Sequence, residues 1–183
     1  MKLSEQGLKD RAAWEAAGFS LPQYDRRQVM RATGENPFWI HFGAGNLFRA
    51  FQAKVAENLL NEGVLDRGLV AAEGFDYEII EKINRPHDDY GIAVTLKSDG
   101  SVDKAVVGSV VESHILDSEN RPEFDRLKEI FQKDSLQMAS FTITEKGYSL
   151  VSAKAEPLPD VAADFAAGPL RRESYIGKVA TLL

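Results

Sequence analysis

The chain has 183 residues, 44% of them hydrophobic and 27% charged, the composition of a soluble globular protein with a substantial core. A net charge of −6 and a pI near 5.2 leave no basic footprint for nucleic acid or an anionic membrane surface, and no apolar run is long enough to span a bilayer. The absence of cysteine removes disulfides, thiolate metal sites and cysteine nucleophiles together; with a charged start, Met1-Lys2-Leu3-Ser4-Glu5-Gln6, that is no signal peptide, it predicts a cytoplasmic protein.

Residues 1–36 read as an N-terminal helical arm. Leu8, Ala12, Trp14 and Ala16 predict a short helix ended by Gly18, and Leu21-Pro22 then breaks the pattern. Asp25 is placed to N-cap a second helix through Thr33, with Gly34 at its end. No chemistry is expected here. Trp14 and Tyr24 are expected to pack the arm onto the domain that follows, residues 37–183.

That domain is organised around Phe38–Arg49. A run of strand formers, Phe38 to Phe42, goes straight into Gly43-Ala44-Gly45, and a helical pattern follows through Leu47, Phe48, Phe51, Val55, Leu59 and Leu60. This is the order that a dinucleotide-binding βαβ unit requires. The first glycine makes the tight turn, the second lets backbone N–H groups approach a pyrophosphate, and the helix N-terminus supplies partial positive charge. A complete fingerprint has a third glycine at position 48, where this chain has Phe48. A second apolar run, Leu69–Ala72, ends on Glu73, 25 residues past position 48 (73 − 48) and close to the spacing of the carboxylate that binds the adenosine ribose. The same residues without a ligand would be a buried strand–turn–helix.

Asp76–Asn84 predicts a short helix stopped by Pro86. Ile92–Leu96 and Ala105–Val107 flank Ser98-Asp99-Gly100-Ser101 and predict an inserted antiparallel hairpin. The sheet resumes with Val107–Ile115, a helix opened by Pro122, and a strand over Gln137–Thr144. Pro157 and Pro159 interrupt the pattern, and Gly168-Pro169 separates an Ala-rich helix from a last one starting near Glu173. The fold class is therefore α/β: a Rossmann-like, doubly wound, mostly parallel sheet carrying a hairpin and a helical arm. Because the chain stops at Thr181-Leu182-Leu183 inside a helical pattern, it is expected to be part of a longer enzyme.

His41, His87 and His114 lie far apart and form no metal-ligand pair, and His41 is expected to be a core residue. Arg49, one turn past the glycines, is placed either to meet a phosphate or substrate carboxylate or to pair with Glu73 or Glu145. Thr144, Glu145 and Lys146 follow a strand end, where ligands of open α/β sheets bind; Glu145 and Lys146 are the acid/base candidates, weighed against solvated turn charges. The cofactor expected from the Glu73 carboxylate is NAD.

Gly43-Ala44-Gly45-Asn46-Leu47-Phe48-Arg49-Ala50 with Phe51-Gln52-Ala53, and Thr142-Ile143-Thr144-Glu145-Lys146-Gly147-Tyr148, resemble the two motifs of the mannitol dehydrogenase family, the polyol-specific long-chain dehydrogenases. Asp76-Tyr77 and Arg85-Pro86-His87-Asp88 fit the intervening region. Many members have Gly-Phe-His-Arg-Ala where this chain has Asn46-Leu47-Phe48-Arg49-Ala50. The resemblance implies NAD contacts from Gly43, Ala44, Gly45, Asn46, Leu47, Arg49, Glu73 and Thr144. It also implies hydride transfer to or from a polyol or hexuronate, the hexuronate branch favoured by the long arm and by Phe75-Asp76-Tyr77. The family's catalytic lysine belongs to a C-terminal helical domain, and no position here matches its motif. Two other readings of the residues stay open: an S-adenosylmethionine-dependent methyltransferase and a non-catalytic nucleotide-binding module.

Overall fold

Four parallel strands build the main sheet, and the strand that runs into Gly43 lies inside it. The computed structural model describes residues 1–168 and 172–183, so Pro169 lies outside the described residues. In chain order the elements are α1 (Arg11–Ala16), β1 (Phe19–Ser20), α2 (Arg26–Glu35), β2 (Trp39–Phe42), α3 (Asn46–Ala50), α4 (Gln52–Asn61), β3 (Leu69–Glu73), β4 (Gly91–Leu96), β5 (Val102–Val107), β6 (Val110–Ile115), α5 (Arg121–Phe131), β7 (Met138–Phe141), α6 (Glu145–Tyr148), α7 (Pro159–Ala167) and α8 (Tyr175–Ala180). The main sheet has the order β6-β3-β2-β7, every pair parallel, with His41 opposite Ala71 on one side and Ser140 on the other. The chain from β2 moves outward through β3 to β6 and then returns across the sheet to β7. The switch point is the gap between β2 and β7.

All five residues of β3 are buried, and they serve two cores by alternation. Leu69 and Ala71 face one cluster with Phe48, Ala53, Ala56 and Ile80. Val70 and Ala72 face the other, with Ile40, Phe42, Phe124, Leu127 and Ile130. The sheet is thus covered by α3 and α4 on one face and by α5 on the other.

The helix after the glycines differs from expectation. It is broken at Phe51 (φ −109°, ψ −77°) into α3 and α4, so one helical period does not run through it. Leu47, Phe51 and Val55 are 58%, 63% and 51% exposed, and the packed face is Phe48, Ala53, Ala56 and Leu60. Small alanines let α4 lie close on the sheet, a role that hydrophobicity counting does not reveal. Pro86 sits within a helical turn, Arg85–His87, that continues a helix over Ile79–Asn84, and Pro159 opens α7, where its missing N–H costs nothing. The strand expected over Gln137–Thr144 is confined to β7.

The hairpin forms as expected, β4 and β5 antiparallel around a turn in which Gly100 has φ +81°. It forms a sheet of its own. β1, from the arm, pairs parallel with β5, making a three-stranded sheet of order β1-β5-β4. Trp14 packs with Leu8, Leu21, Tyr90 and Val106 beneath it. Arg26 is buried and donates to the carbonyls of Gly108 (2.9 Å), Asp88 (2.7 Å) and Val110 (2.9 Å), with Tyr90 under its guanidinium at 4.1 Å. Tyr24 Oη donates to the buried Glu57 carboxylate at 2.7 Å, which also accepts from Gly108 N–H at 2.8 Å, and burial pushes both pKa values up.

Candidate functional site

Gly43 has φ +100°, the left-handed region that favours glycine, and a Cβ there would stand 2.7 Å from the Thr142 carbonyl oxygen. The residue is glycine for two reasons at once, turn and close approach. The Gly43–Ala44 peptide is held at both ends: its C=O accepts from Thr142 Oγ1 at 3.0 Å, and its N–H donates to Glu73 Oε2 at 2.9 Å. Gly45 follows in extended conformation and opens α3.

Over this loop lies a cleft of about 660 Å³ at the carboxyl ends of β2, β3 and β7. Of the residues expected at the site, Gly43, Gly45, Glu73, Thr144 and Lys146 line it. Ala44 is buried behind it, and its N–H is already taken by Glu73. The Glu73 carboxylate is buried at the strand end, and its other oxygen accepts from Phe75 N–H (2.9 Å) and Asp76 N–H (3.3 Å). Asn46 and Arg49 line a separate recess against β4, where Arg49 donates to Asn46 Oδ1 at 2.7 Å; neither Glu73 nor Glu145 is among its ion-pair partners in the described residues. Leu47 points to solvent, and Glu145 is exposed and outside the cleft lining.

The chain's end brings in residues that the sequence reading did not single out. α8, capped by Ser174 Oγ on Gly177 N–H at 3.0 Å, lays Tyr175 and Lys178 along one face, three residues apart. Lys178 Nζ is buried and donates to the Gly74 carbonyl and the Tyr77 hydroxyl, each at 2.9 Å. Gly74 is small because a Cβ would come within 2.8 Å of the Tyr175 ring. Asp160 and Glu173 add carboxylates to the same cleft. The only available sequence signal for these groups was the i, i+3 pairing in a short terminal helix.

His41 is fully buried below the loop, stacked on Phe48 with ring centroids 4.1 Å apart. Its Nδ1 meets Ser140 Oγ at 2.7 Å and its Nε2 meets Thr142 Oγ1 at 2.9 Å, while Trp39 Nε1–H donates to the same Ser140 oxygen at 2.7 Å. Burial pulls its pKa down from 6.5 to about 4. Among the described residues no helix is long and apolar enough to cross a membrane.

The parallel order β6-β3-β2-β7, the glycine turn off β2 and the cleft at the switch point define a Rossmann-like α/β domain. No family model matches the sequence. Along all 183 residues the chain is 45% identical to the D-mannonate oxidoreductase of Thermotoga maritima, and spans 34% of that protein's length. Its fold is similar over the whole chain to the solved structure of Pseudomonas fluorescens mannitol 2-dehydrogenase in ternary complex with NAD and D-mannitol (TM-score 0.77, 22% identity, 35% of that chain). It is equally similar to substrate-free D-sorbitol dehydrogenase (TM-score 0.76, 21% identity, 35% of that chain). The resemblance to the mannitol dehydrogenase family drawn from the two motifs is borne out by these likenesses.

Proposed function

We propose that this chain is the NAD(H)-binding portion of an oxidoreductase that interconverts a secondary alcohol and its ketone on a hexuronate or polyol, with mannonate and fructuronate the favoured pair. The observation that carries this is a glycine turn opening into a cleft of about 660 Å³ at the switch point, in a chain 45% identical throughout to a D-mannonate oxidoreductase. The cradle fits a dinucleotide. Gly43 and Gly45 bring no side chain into the cleft, and Thr144 and Lys146 line it too. The bound NAD would supply the hydride acceptor or donor.

The acid/base step belongs, on this reading, to the part of a longer protein that the chain does not span. Lys178 is committed to Gly74 and Tyr77, and Lys146 stands exposed at the cleft. Residues 1–183 alone then act as a nucleotide-binding module. The likenesses lend no support to the methyltransferase alternative. The test is fluorescence titration with NADH beside calorimetry with S-adenosylmethionine, followed by a turnover assay with mannonate and NAD. Binding of NADH without turnover is the expected result. Tighter binding of S-adenosylmethionine would overturn the assignment, and hydride transfer by residues 1–183 would place the acid/base in Lys146, Glu145 or a histidine.

A further inference from the structure

One neutral tautomer of His41 completes the hydrogen bonds beneath the loop. Thr142 Oγ1 has one proton and gives it to the Gly43 carbonyl, so the proton between Thr142 and His41 belongs to Nε2. Nδ1 is then an acceptor and takes the Ser140 hydroxyl, whose oxygen in turn accepts from the Trp39 indole. Each hydrogen is used once, and the chain runs in one direction: Trp39 to Ser140 to His41 to Thr142 to Gly43. Its last bond holds the C=O of the peptide whose N–H is held by Glu73.

We propose that His41 is a positioning residue for the nucleotide: acting through Thr142, the imidazole fixes the Gly43–Ala44 peptide that shapes the loop, and the charge state of the ring is felt at that peptide. This rests on the dinucleotide reading of the cleft. A second ring proton, on Nδ1, turns Ser140 Oγ from donor to acceptor and puts a positive charge behind the Nε2–H that Thr142 accepts. The groups around the ring are Phe48 from α3, Ser140 from β7 and Thr142 just after it, the Gly43 carbonyl, Trp39 on its own strand and Ala71 beside it on β3. The charged group on the same peptide is Glu73. The low pKa of about 4 for His41 agrees with a ring held neutral at pH 7.

The test uses the whole 183-residue chain. Thr142→Val removes the hydroxyl at nearly constant volume, and Thr142→Ser restores it. NADH titration at pH 7.5 is expected to give at least tenfold weaker binding for Thr142→Val and binding within twofold of the parent for Thr142→Ser. In the ligand-free 15N-labelled chain, the Ala44 amide is expected to follow the His41 titration between pH 6 and 4. In Thr142→Val that component disappears. Equal NADH affinity in Thr142→Val and parent, or an Ala44 titration unchanged by the substitution, would overturn the inference. A parent that shows the Ala44 coupling but binds no NADH would overturn the dinucleotide reading and leave the loop coupling standing.

Discussion

Glu73 Oε2 accepts the Ala44 N–H at 2.9 Å, so the end of β3 is tied to the first peptide of the loop that leaves β2. With Oε1 on the N–H groups of Phe75 and Asp76, the carboxylate organises two turns, one from each of two neighbouring strands. A group expected to reach outward to a ribose is first a brace for the loop.

Removing that brace leaves the buried Ala44 N–H without its acceptor, a loss of about 1–3 kcal/mol. Glu73→Ala is expected to lower unfolding free energy by that order in urea titrations. Glu73→Gln keeps a carbonyl acceptor and should recover part of it. A Glu73→Ala variant as stable as the parent would mean that the carboxylate does not hold the loop.

Acid should weaken the fold in two stages, both with the same sign. His41 has a folded pKa of about 4 against an unfolded value near 6.5. The unfolded state therefore binds more protons in that window. Stability is full above pH 6.5 and falls as pH drops toward 4, by about 3 kcal/mol in all. Burial alone raises the pKa of Glu112, yet hydrogen bonds from His114 and Arg126 outweigh it and hold Glu112 at about 2. Its contribution is present above pH 4.5 and is lost between 4.5 and 2. Thermal unfolding from pH 7.5 to 3 should show Tm falling from about pH 6, and Ser140→Ala should lower Tm at pH 7 while flattening that first stage. A Tm constant from pH 7 to 4.5 would contradict the buried neutral state of His41.

The arm is expected to be structural, with Arg26 its key residue. Its guanidinium satisfies three backbone carbonyls across the junction of β5, β6 and the turn before β4. Arg26→Met keeps much of the side-chain volume and strands those carbonyls, a loss of about 3–5 kcal/mol. Urea unfolding measures it. A loss below about 1 kcal/mol would mean that water replaces the guanidinium without cost.

What the sequence made legible was local. Phe38–Phe42, Gly43-Ala44-Gly45 and Leu69–Glu73 declare a strand, a turn and a strand because neighbours in sequence carry the pattern, and Asp99-Gly100 announces the hairpin in the same way. The partners that finish the site are distant: Ala44 and Glu73 are 29 positions apart, His41 and Thr142 are 101, and Gly74 and Lys178 are 104. No periodicity reports such pairs. The exposed Leu47, Phe51 and Val55 illustrate the opposite error, since an apolar stripe at helical spacing predicts burial only if the helix is unbroken.

Cofactor choice turns on two groups of opposite charge at one end of the cleft. Glu73 brings a carboxylate to the end of β3, and the 2′-phosphate of NADP would set charge of the same sign against it, at a Coulomb cost of order 1–4 kcal/mol at contact depending on local dielectric. Residues 74–81 contain no cation and add Asp76. The structure supplies what that stretch lacks: Lys178 reaches the Gly74 carbonyl from α8 and lines the same cleft. Its ammonium is already engaged by Gly74 and Tyr77, so it offsets the carboxylate only in part. NADH is therefore expected to bind at least tenfold more tightly than NADPH, a difference of about 1.4 kcal/mol. Lys178→Met should widen the gap by weakening NADPH more than NADH, and Glu73→Ser should narrow it chiefly by improving NADPH binding. The measurement is fluorescence titration of both cofactors at low salt, where the repulsion is least screened. Equal affinities in the unmodified chain would show that Glu73 serves the loop alone and that the ribose lies beyond its reach.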